Sequence, residues 1–324
     1  MKYTNLGASG LQVSRVCLGG NSWGSKGKRK WTGLDAEDTK PFLKRALDLG
    51  VNFFDTAPSY NAGASEEILG EHLVGSVPRS ELVLLTKAGM PRGEPHQWGL
   101  GRKRLIASVE DSLRRLRTDH LDLLVLHRFD PRTPIEEIMT TLHMLVTAGK
   151  VRYVGASTMP FRHFMRMHLF AKVNGLTQFI EMQNFYNLLY REDERELVPF
   201  CEEEGIALTP YSPLAKGILS GNRAADGSGA SERAQADAAR TQEFYRDHQP
   251  AILDALAKVA GAHGVKPSQI ALAWLLHQRS VAAPVVGATK LDYIDDAAAA
   301  VDIALGADEF ASLEAPYQAR SVVE

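Results

Sequence analysis

The sequence predicts an α/β protein built as a (β/α)8 TIM barrel, with a short N-terminal β-hairpin and extra helices near the C-terminus. Short apolar runs alternate with longer amphipathic stretches, a pattern typical of right-handed βαβ units and a parallel sheet. The 324 residues accommodate eight such units, and eight parallel strands are the number that closes a TIM barrel. An open, doubly wound sheet is the alternative. The strand count and the lack of G-x-G-x-x-G after the first strand argue against it, if a dinucleotide is bound.

The elements follow in order along a domain that we expect to span residues 1–324. The predicted barrel strands are Val16–Leu18, Asn52–Phe54, Leu82–Thr86, Leu121–Leu126, Val151–Gly155, Phe179–Gln183, Ala207–Tyr211 and Ala282–Val286. Helices are predicted at Asp35–Leu49, Arg102–Leu116, Ile135–Ala148, Glu192–Glu204 and Gln249–His263. Asp35 before the first helix and Gly50 after it are typical N-cap and C′ residues.

Three further segments complete the prediction. Tyr3–Leu6 and Gln12–Val13 flank two glycines, which indicates a hairpin that would plug the bottom of the barrel. Gly221–Ala239 is rich in Gly, Ala, Ser and Asp, so we expect a mobile surface loop there. The stretch Glu314–Glu324 is too short for a long lid, which favours an open, permissive pocket.

Composition narrows the class of protein. Lys and Arg total 37 and Asp and Glu total 39, a net charge of −2, so nothing favours a nucleic-acid or membrane-surface partner. No apolar run approaches the roughly 18 residues of a membrane helix, and the start lacks a secretory-signal pattern. Cys17 and Cys201 provide neither a disulfide framework nor metal-ligand spacing. We therefore expect a cytoplasmic protein without a metal.

Ionisable residues follow three successive predicted strands. Asp55, Lys87 and His127 stand where the second, third and fourth strands end, and Tyr60 follows Asp55 closely. Catalytic groups of barrels come from this end of the strands. Other polar residues at later strand ends are Ser157, Thr158, Gln183, Asn184, Tyr211, Ser212 and Thr289.

The first four residues form a chemically coherent set. A tyrosine is a poor acid unless an ammonium stabilises its phenolate, and a carboxylate keeps that ammonium charged and oriented. Asp55, Lys87 and Tyr60 supply one of each, and His127 could orient a carbonyl oxygen. Each also has a structural alternative: a turn cap, a solvated lysine, a surface aromatic or a hydrogen-bonded structural histidine. Their joint occurrence at one barrel face favours catalysis.

At these residues the sequence resembles the aldo-keto reductase family. Asn52–Tyr60 resembles the family's N-x-[FI]-D-T-A-x-x-Y signature and Ser65–Gly70 its S-E-x-x-[LI]-G block. The other matching blocks are Thr86–Lys87, Asp119–His127, Gly149–Ser157, Tyr211–Gly217 and Pro284–Thr289. Within the family, the N-terminal segment and the Gly-Ala-Thr-Lys stretch look like the bacterial branch, which includes relatives of potassium-channel β subunits.

The resemblance implies NADPH-dependent reduction of aldehydes or ketones to alcohols. By carry-over, Tyr60 is the proton donor, Lys87 and Asp55 tune it, and His127 positions the carbonyl. The residues that match cofactor contacts are Gly20, Asn21, Asp55, Ser157, Thr158, Gln183, Tyr211, Ser212, Pro213, Leu214, Gly217, Arg233, Gly287, Thr289, Lys290, Tyr293 and Asp296. The implied partner is a small carbonyl substrate, and the oligomeric state stays open.

The chain departs from the family pattern at several cofactor positions. Thr158 stands where the family usually has asparagine or another polar residue. Ala297 replaces the asparagine of the adenine-binding stretch, and Asp296 keeps the acid of that stretch with a shorter side chain. A 2′-phosphate needs a cation, for which Lys290 and Arg233 are the candidates, so NADPH is favoured over NADH.

The loops give two interpretations of the substrate pocket. In one interpretation, the basic cluster Lys26–Lys30, beside Trp23 and Trp31, recruits anionic substrates. In the other, it is a solvated loop whose charge has no function. Met90, His96 and Trp98 are candidate pocket residues of the third loop.

Two other functions fit the same residues. One is a nicotinamide-sensing regulatory module with slow or vestigial reductase activity, in the manner of the channel subunits. The other is a barrel enzyme that forms a Schiff base on Lys87. The neighbouring Asp55 and Tyr60 fit hydride transfer better than a Schiff base.

Overall fold

A computed structural model describes residues 1–24, 34–90, 99–224, 228, 229, 235 and 249–319. Its strands are β1 Tyr3–Asn5, β2 Gln12–Ser14, β3 Cys17–Gly19, β4 Phe53–Asp55, β5 Val83–Ala88, β6 Leu121–Leu126, β7 Val151–Ser157, β8 Phe179–Gln183, β9 Ala207–Leu208 and β10 Val285–Gly287. Strands β3 to β9 are neighbours in chain order in one parallel sheet, and β10 pairs with β3.

The two edges of this sheet meet and close the barrel. Parallel bridges join Leu208 to Val281 and Tyr211 to Val285. The N–H of Val285 donates to the carbonyl oxygen of Pro210 at 2.8 Å. The predicted (β/α)8 barrel is therefore confirmed, and so are the antiparallel hairpin β1–β2 and the additional C-terminal helices.

Helices surround the barrel between its strands. They are α1 Ala36–Asp48, α2 Ala64–His72, α3 Arg102–Leu116, α4 Ile135–Thr147, α5 Phe161–Val173, α6 Leu197–Glu203, α7 Gln249–His263, α8 Pro267–Leu276, α9 Asp292–Ala300 and α10 Ala307–Glu314. Helix α1 begins at its predicted cap, where the N–H of Asp35 donates to Asp38 Oδ2 at 3.2 Å. Gly50 adopts φ +80° just beyond its end. Among the described residues no helix has the length and apolar content needed to cross a membrane.

Element ends differ from the prediction where prolines or polar residues stand. Strands β4 and β5 continue past the last apolar residue and include Asp55 and Lys87, because backbone pairing does not depend on side-chain polarity. Strand β9 ends before Pro210, which has no N–H for the ladder. Helix α6 begins at Leu197 rather than Glu192, which places Pro199 in its first turn, where proline is tolerated.

Several predicted segments lie outside the described residues. They are most of the Gly221–Ala239 loop, the basic cluster Lys26–Lys30 with Trp31, the third-loop residues His96 and Trp98, and Arg233. Met90 is described and its side chain is exposed.

The apolar interior is divided between the barrel lumen and the layer between strands and helices. The lumen cluster contains Cys17, Phe53, Leu85 and Val125, and the hairpin adds Leu6 and Val13 to it. The prediction that the hairpin plugs the bottom of the barrel is therefore confirmed. The lumen is a packed core whose upper end carries the strand-end polar residues.

The plug should contribute measurably to stability. Leu6 is fully buried, so Leu6→Ala is expected to lower the free energy of unfolding by about 2–5 kcal/mol, measured by urea denaturation. Lys2→Ala on the same hairpin is the control, because its ion pair with Asp302 is exposed and worth at most about 1 kcal/mol. Equal effects of the two substitutions would show that the hairpin does not seal the core.

Candidate active site

The four predicted catalytic residues converge at the carboxyl ends of adjacent strands. Asp55 ends β4, Lys87 lies near the end of β5 and His127 directly follows β6. Tyr60 begins a short 3-10 turn after β4. Because neighbouring parallel strands end at the same rim of the barrel, these positions bring the four side chains together.

Lys87 is the centre of the group. Its buried ammonium donates to Asp55 Oδ2, to the carbonyl oxygen of Thr56 at 3.1 Å and to the hydroxyl of Tyr60 at 2.9 Å. These three bonds use all of its N–H groups. Asp55 Oδ2 also accepts the amide of Gln183 at 2.9 Å, so β4, β5 and β8 are joined across the lumen.

The charges decide the protonation of Lys87 and Tyr60. Burial alone would lower the pKa of Lys87, but the Asp55 charge and the hydrogen bonds with Asp55 and Tyr60 raise it above its ordinary value. Burial and the Asp55 charge raise the pKa of Tyr60 to about 12, although Lys87 opposes them. Lys87 therefore favours the phenolate, as expected, but burial and the Asp55 charge outweigh its effect on the pKa of Tyr60. Tyr60 keeps its proton across the neutral range.

His127 is held beside Tyr60 as a neutral imidazole. Burial, with the charges of Lys87 and Arg128, keeps its pKa well below the ordinary value. Its ring stands edge-on to Tyr60 with centroids 6.0 Å apart and planes at 87°. Its Nδ1 lies 3.5 Å from the hydroxyl of Ser59. A neutral imidazole in this place can donate one hydrogen bond to a carbonyl oxygen without adding charge.

The Ser65-Glu66 pair holds the loops behind the catalytic group. Ser65 accepts from the Thr56 hydroxyl at 2.8 Å and donates to the carbonyl oxygen of Gly20 at 2.9 Å. Buried Glu66 accepts from Thr86 at 2.6 Å and from Arg115 at 2.6 Å. The sequence marked this block only as a family resemblance, and its physical role is to fix the ends of β3, β4 and β5.

Most of the predicted cofactor residues lie at the same end of the barrel. Ser157 ends β7 and pairs in register with Gln183. Thr158 follows with φ +37°, which is strained for a β-branched residue, and its hydroxyl lies 3.3 Å from that of Tyr211. This threonine occupies a left-handed position that asparagine tolerates better, which explains physically why the family pattern has asparagine there.

The chain after β9 forms a tight turn with several left-handed residues. Ser212, Ala215, Lys216 and Gly217 all have positive φ, between 47° and 104°. The N–H groups of Ala215 and Gly217 donate within the turn to the carbonyl oxygens of Ser212 and Leu214, both at 2.9 Å. The pyrophosphate contact at Ser212, Pro213, Leu214 and Gly217 stays a prediction.

The predicted nucleotide-phosphate residues surround the end of β10. Gly287, Thr289 and Lys290 are exposed there, and the Lys290 ammonium has no carboxylate partner in the described part of the chain. Asp296 is instead paired with Lys266, at 2.8 and 2.9 Å. Lys290 is thus a described cation that a phosphate at this end of the barrel could approach. Within the described ranges no three His, Cys, Asp or Glu side chains converge as a metal site.

Comparison with known proteins places the chain in a family. The model of the aldo/keto reductase family matches residues 15–318, so the chain belongs to this family. It is 40% identical to aldo-keto reductase dtxS3 of Metarhizium robertsii, over 97% of this chain and 90% of that protein. It is 37% identical to versiconal hemiacetal acetate reductase of Aspergillus parasiticus, over 99% of this chain and 98% of that protein.

A third relative is also fungal. A Schizosaccharomyces pombe protein named "Putative aryl-alcohol dehydrogenase" is 39% identical over 97% of this chain and 95% of that protein. The expected likeness to the bacterial branch stays a prediction. The family and these names establish an oxidoreductase of the aldo-keto reductase type.

The buried ion pair provides a test of the site that needs no substrate. Lys87→Met leaves the Asp55 carboxylate buried with the Gln183 amide alone, so we expect a loss of about 3–5 kcal/mol in unfolding free energy by denaturant titration. The double variant Asp55→Asn, Lys87→Met should lose clearly less than the sum of the single variants, because no unpaired charge remains buried. Additive losses would contradict the coupling.

Proposed function

We propose that the protein reduces aldehydes and ketones to alcohols with NADPH and that Tyr60 donates the proton. The observation that carries this proposal is the Tyr60 hydroxyl, protonated and held 2.9 Å from Lys87 Nζ at the mouth of the barrel. When bound, the nicotinamide supplies the hydride to the carbonyl carbon. Tyr60 then gives its proton to the carbonyl oxygen, and Lys87 stabilises the phenolate that is left.

His127 has the second role at the carbonyl. Its neutral imidazole donates a hydrogen bond that orients and polarises the oxygen before the proton arrives. Asp55 keeps Lys87 charged and fixed, so that the ammonium faces Tyr60. The chain thus provides one acid, one orienting donor and one buried ion pair.

The cofactor would lie along the strand ends from β3 to β10. Ser157, Thr158 and Gln183 would hold the carboxamide and Tyr211 would stack on the nicotinamide ring. The turn after β9 would bind the pyrophosphate, and Gly287, Thr289 and Lys290 the adenosine phosphate. The hydroxyls of Ser157 and Thr158 and the amide of Gln183 are the donor types that a carboxamide needs.

The Schiff-base alternative fits the geometry poorly. A Schiff-base lysine needs a neutral amine with a free lone pair. The Lys87 ammonium donates three hydrogen bonds, and its pKa is raised rather than lowered. Hydride transfer with Tyr60 as acid agrees better with this arrangement.

The proton donor can be tested by Tyr60→Phe. We expect kcat for NADPH-dependent reduction of an aldehyde panel to fall about 10²–10⁴-fold, because the phenolic proton is lost. The panel begins with benzaldehydes, since one relative is named as an aryl-alcohol dehydrogenase. NADPH binding, followed by fluorescence, should be retained.

Two results would contradict this assignment. Unchanged turnover in Tyr60→Phe would remove the role of Tyr60. Slow turnover of the wild type on every carbonyl, with NADPH bound tightly and a partner protein copurified, would instead support the sensing module.

Cofactor preference can be tested by fluorescence titration with NADPH and NADH. We expect Lys290→Ala to weaken NADPH binding at least about tenfold and NADH binding less than about twofold, because only NADPH carries the 2′-phosphate. Lys172→Ala is the control, since its exposed ammonium pairs with Glu204 near the end of α5. Equal effects of Lys290→Ala on both nucleotides would overturn the assignment of Lys290.

A further inference from the structure

A glutamate that the proposed mechanism does not use lies inside the barrel. Glu181 is in β8, two residues before Gln183, so both side chains point to the same side of the strand. Gln183 reaches Asp55 across the lumen, which places Glu181 one step deeper on that inner face. It is fully buried, between the catalytic group above and the apolar lumen cluster below.

The neighbouring strands leave room for this carboxyl group. Gly155 of β7 is its register partner on one side and Ala207 of β9 on the other. A Cβ at Gly155 would overlap with Glu181 Oε2, so the carboxyl group occupies the space that the glycine leaves open. Thr209 donates its hydroxyl to Glu181 Oε1, whereas Oε2 has no hydrogen-bond partner among the described residues.

The charged groups that face Glu181 come from the opposite side of the lumen. They are Asp55 of β4 and Lys87 of β5. The charge of Glu181 also acts on two buried thiols, Cys17 in β3 and Cys201 in α6, and raises the pKa of each. On the strands that flank β8, Gly155, Ala207 and Thr209 carry no charge, and Tyr153 of β7 packs on the lumen core. Burial raises the pKa of Glu181 to about 8, although Thr209 and Lys87 oppose it.

The protonation state of Glu181 therefore determines how many negative charges surround the Lys87 ammonium. At neutral pH the carboxyl is neutral, and the lumen holds a single ion pair. Once ionised, Glu181 would place a second negative charge near Lys87. That charge would compete with Asp55 and Tyr60 for the ammonium and make Tyr60 a weaker acid.

We propose that Glu181 is a positioning residue of the reductase site, whose protonated form keeps Lys87 directed at Asp55 and Tyr60. Its ionisation at alkaline pH weakens proton donation by Tyr60 and slows carbonyl reduction. This inference rests on the proposed function. It adds that the activity of the same site decreases reversibly at alkaline pH.

The first test is the pH profile of kcat for NADPH-dependent aldehyde reduction. A group that loses one proton near pH 8 leaves about one tenth of the protein in the active form at pH 9, so wild-type turnover should fall about tenfold between pH 7 and pH 9. Glu181→Gln cannot ionise and should fall less than about twofold over the same range. Superimposable profiles would overturn the proposal.

Thr209→Val gives a second variant that keeps the glutamate. Without the Thr209 donor the carboxylate is less stabilised, so the alkaline loss of turnover should move to higher pH. If Glu181 had a purely structural role, neither variant would change the pH at which turnover falls. A Thr209→Val profile whose turnover falls at the same alkaline pH as in the wild type therefore also contradicts the proposal.

Thermal unfolding between pH 5 and pH 9 without nucleotide separates this inference from the proposed function. The folded-state pKa of Glu181 is raised from 4.5 to about 8, so the stability that its neutral form adds is lost progressively as pH rises from 4.5 to about 8. The Tm of Glu181→Gln minus that of wild type should rise from pH 5 to pH 8 and then level off. A flat difference would overturn the neutral-acid assignment. Absence of wild-type turnover with a rising difference would overturn the proposed reductase function alone.

Discussion

The buried ion pair between Lys87 and Asp55 is the interaction on which the upper half of the barrel depends. Two charges removed from water are tolerated only when their remaining hydrogen bonds are satisfied. Here Thr56, Tyr60 and Gln183 complete the partners of both groups. The pair therefore requires β4, β5 and β8 to end at the same height, a requirement that a closed barrel with regular register meets.

The rest of the molecule supports that register from below and from behind. The N-terminal hairpin fills the bottom of the lumen with Leu6 and Val13, so the ion pair lies above an apolar, packed core. Behind the rim, Ser65 and Glu66 tie the chain after β3 and β4 to β5 and α3. The geometry of the proposed catalytic group and the stability of the barrel thus depend on the same contacts. A stability measurement without substrate can therefore report on the site.

Periodicity and strand-end polarity were enough to predict the barrel, its plug and the convergence of Asp55, Tyr60, Lys87 and His127 at one rim. Asp55 and Lys87 are visible in the sequence because each follows an apolar run. Glu181 is hidden within such a run, Phe-Ile-Glu-Met-Gln, and only the register with Gly155 shows that its carboxyl fits the lumen. The raised pKa of Tyr60 could not be predicted from the sequence either. It depends on how far burial and the Asp55 charge outweigh Lys87 in the folded structure.

The charge balance of the lumen explains why the site is suited to proton donation. With Tyr60 and Glu181 protonated and His127 neutral, Lys87 and Asp55 are the opposed charges of the group. In the proposed reaction the phenolate of Tyr60 forms beside the Lys87 ammonium, which is paired with the Asp55 carboxylate. A neutral Glu181 preserves that condition, since in a low-dielectric interior each additional charge acts strongly on its neighbours. The acid strength of Tyr60 is therefore a property of the whole lumen.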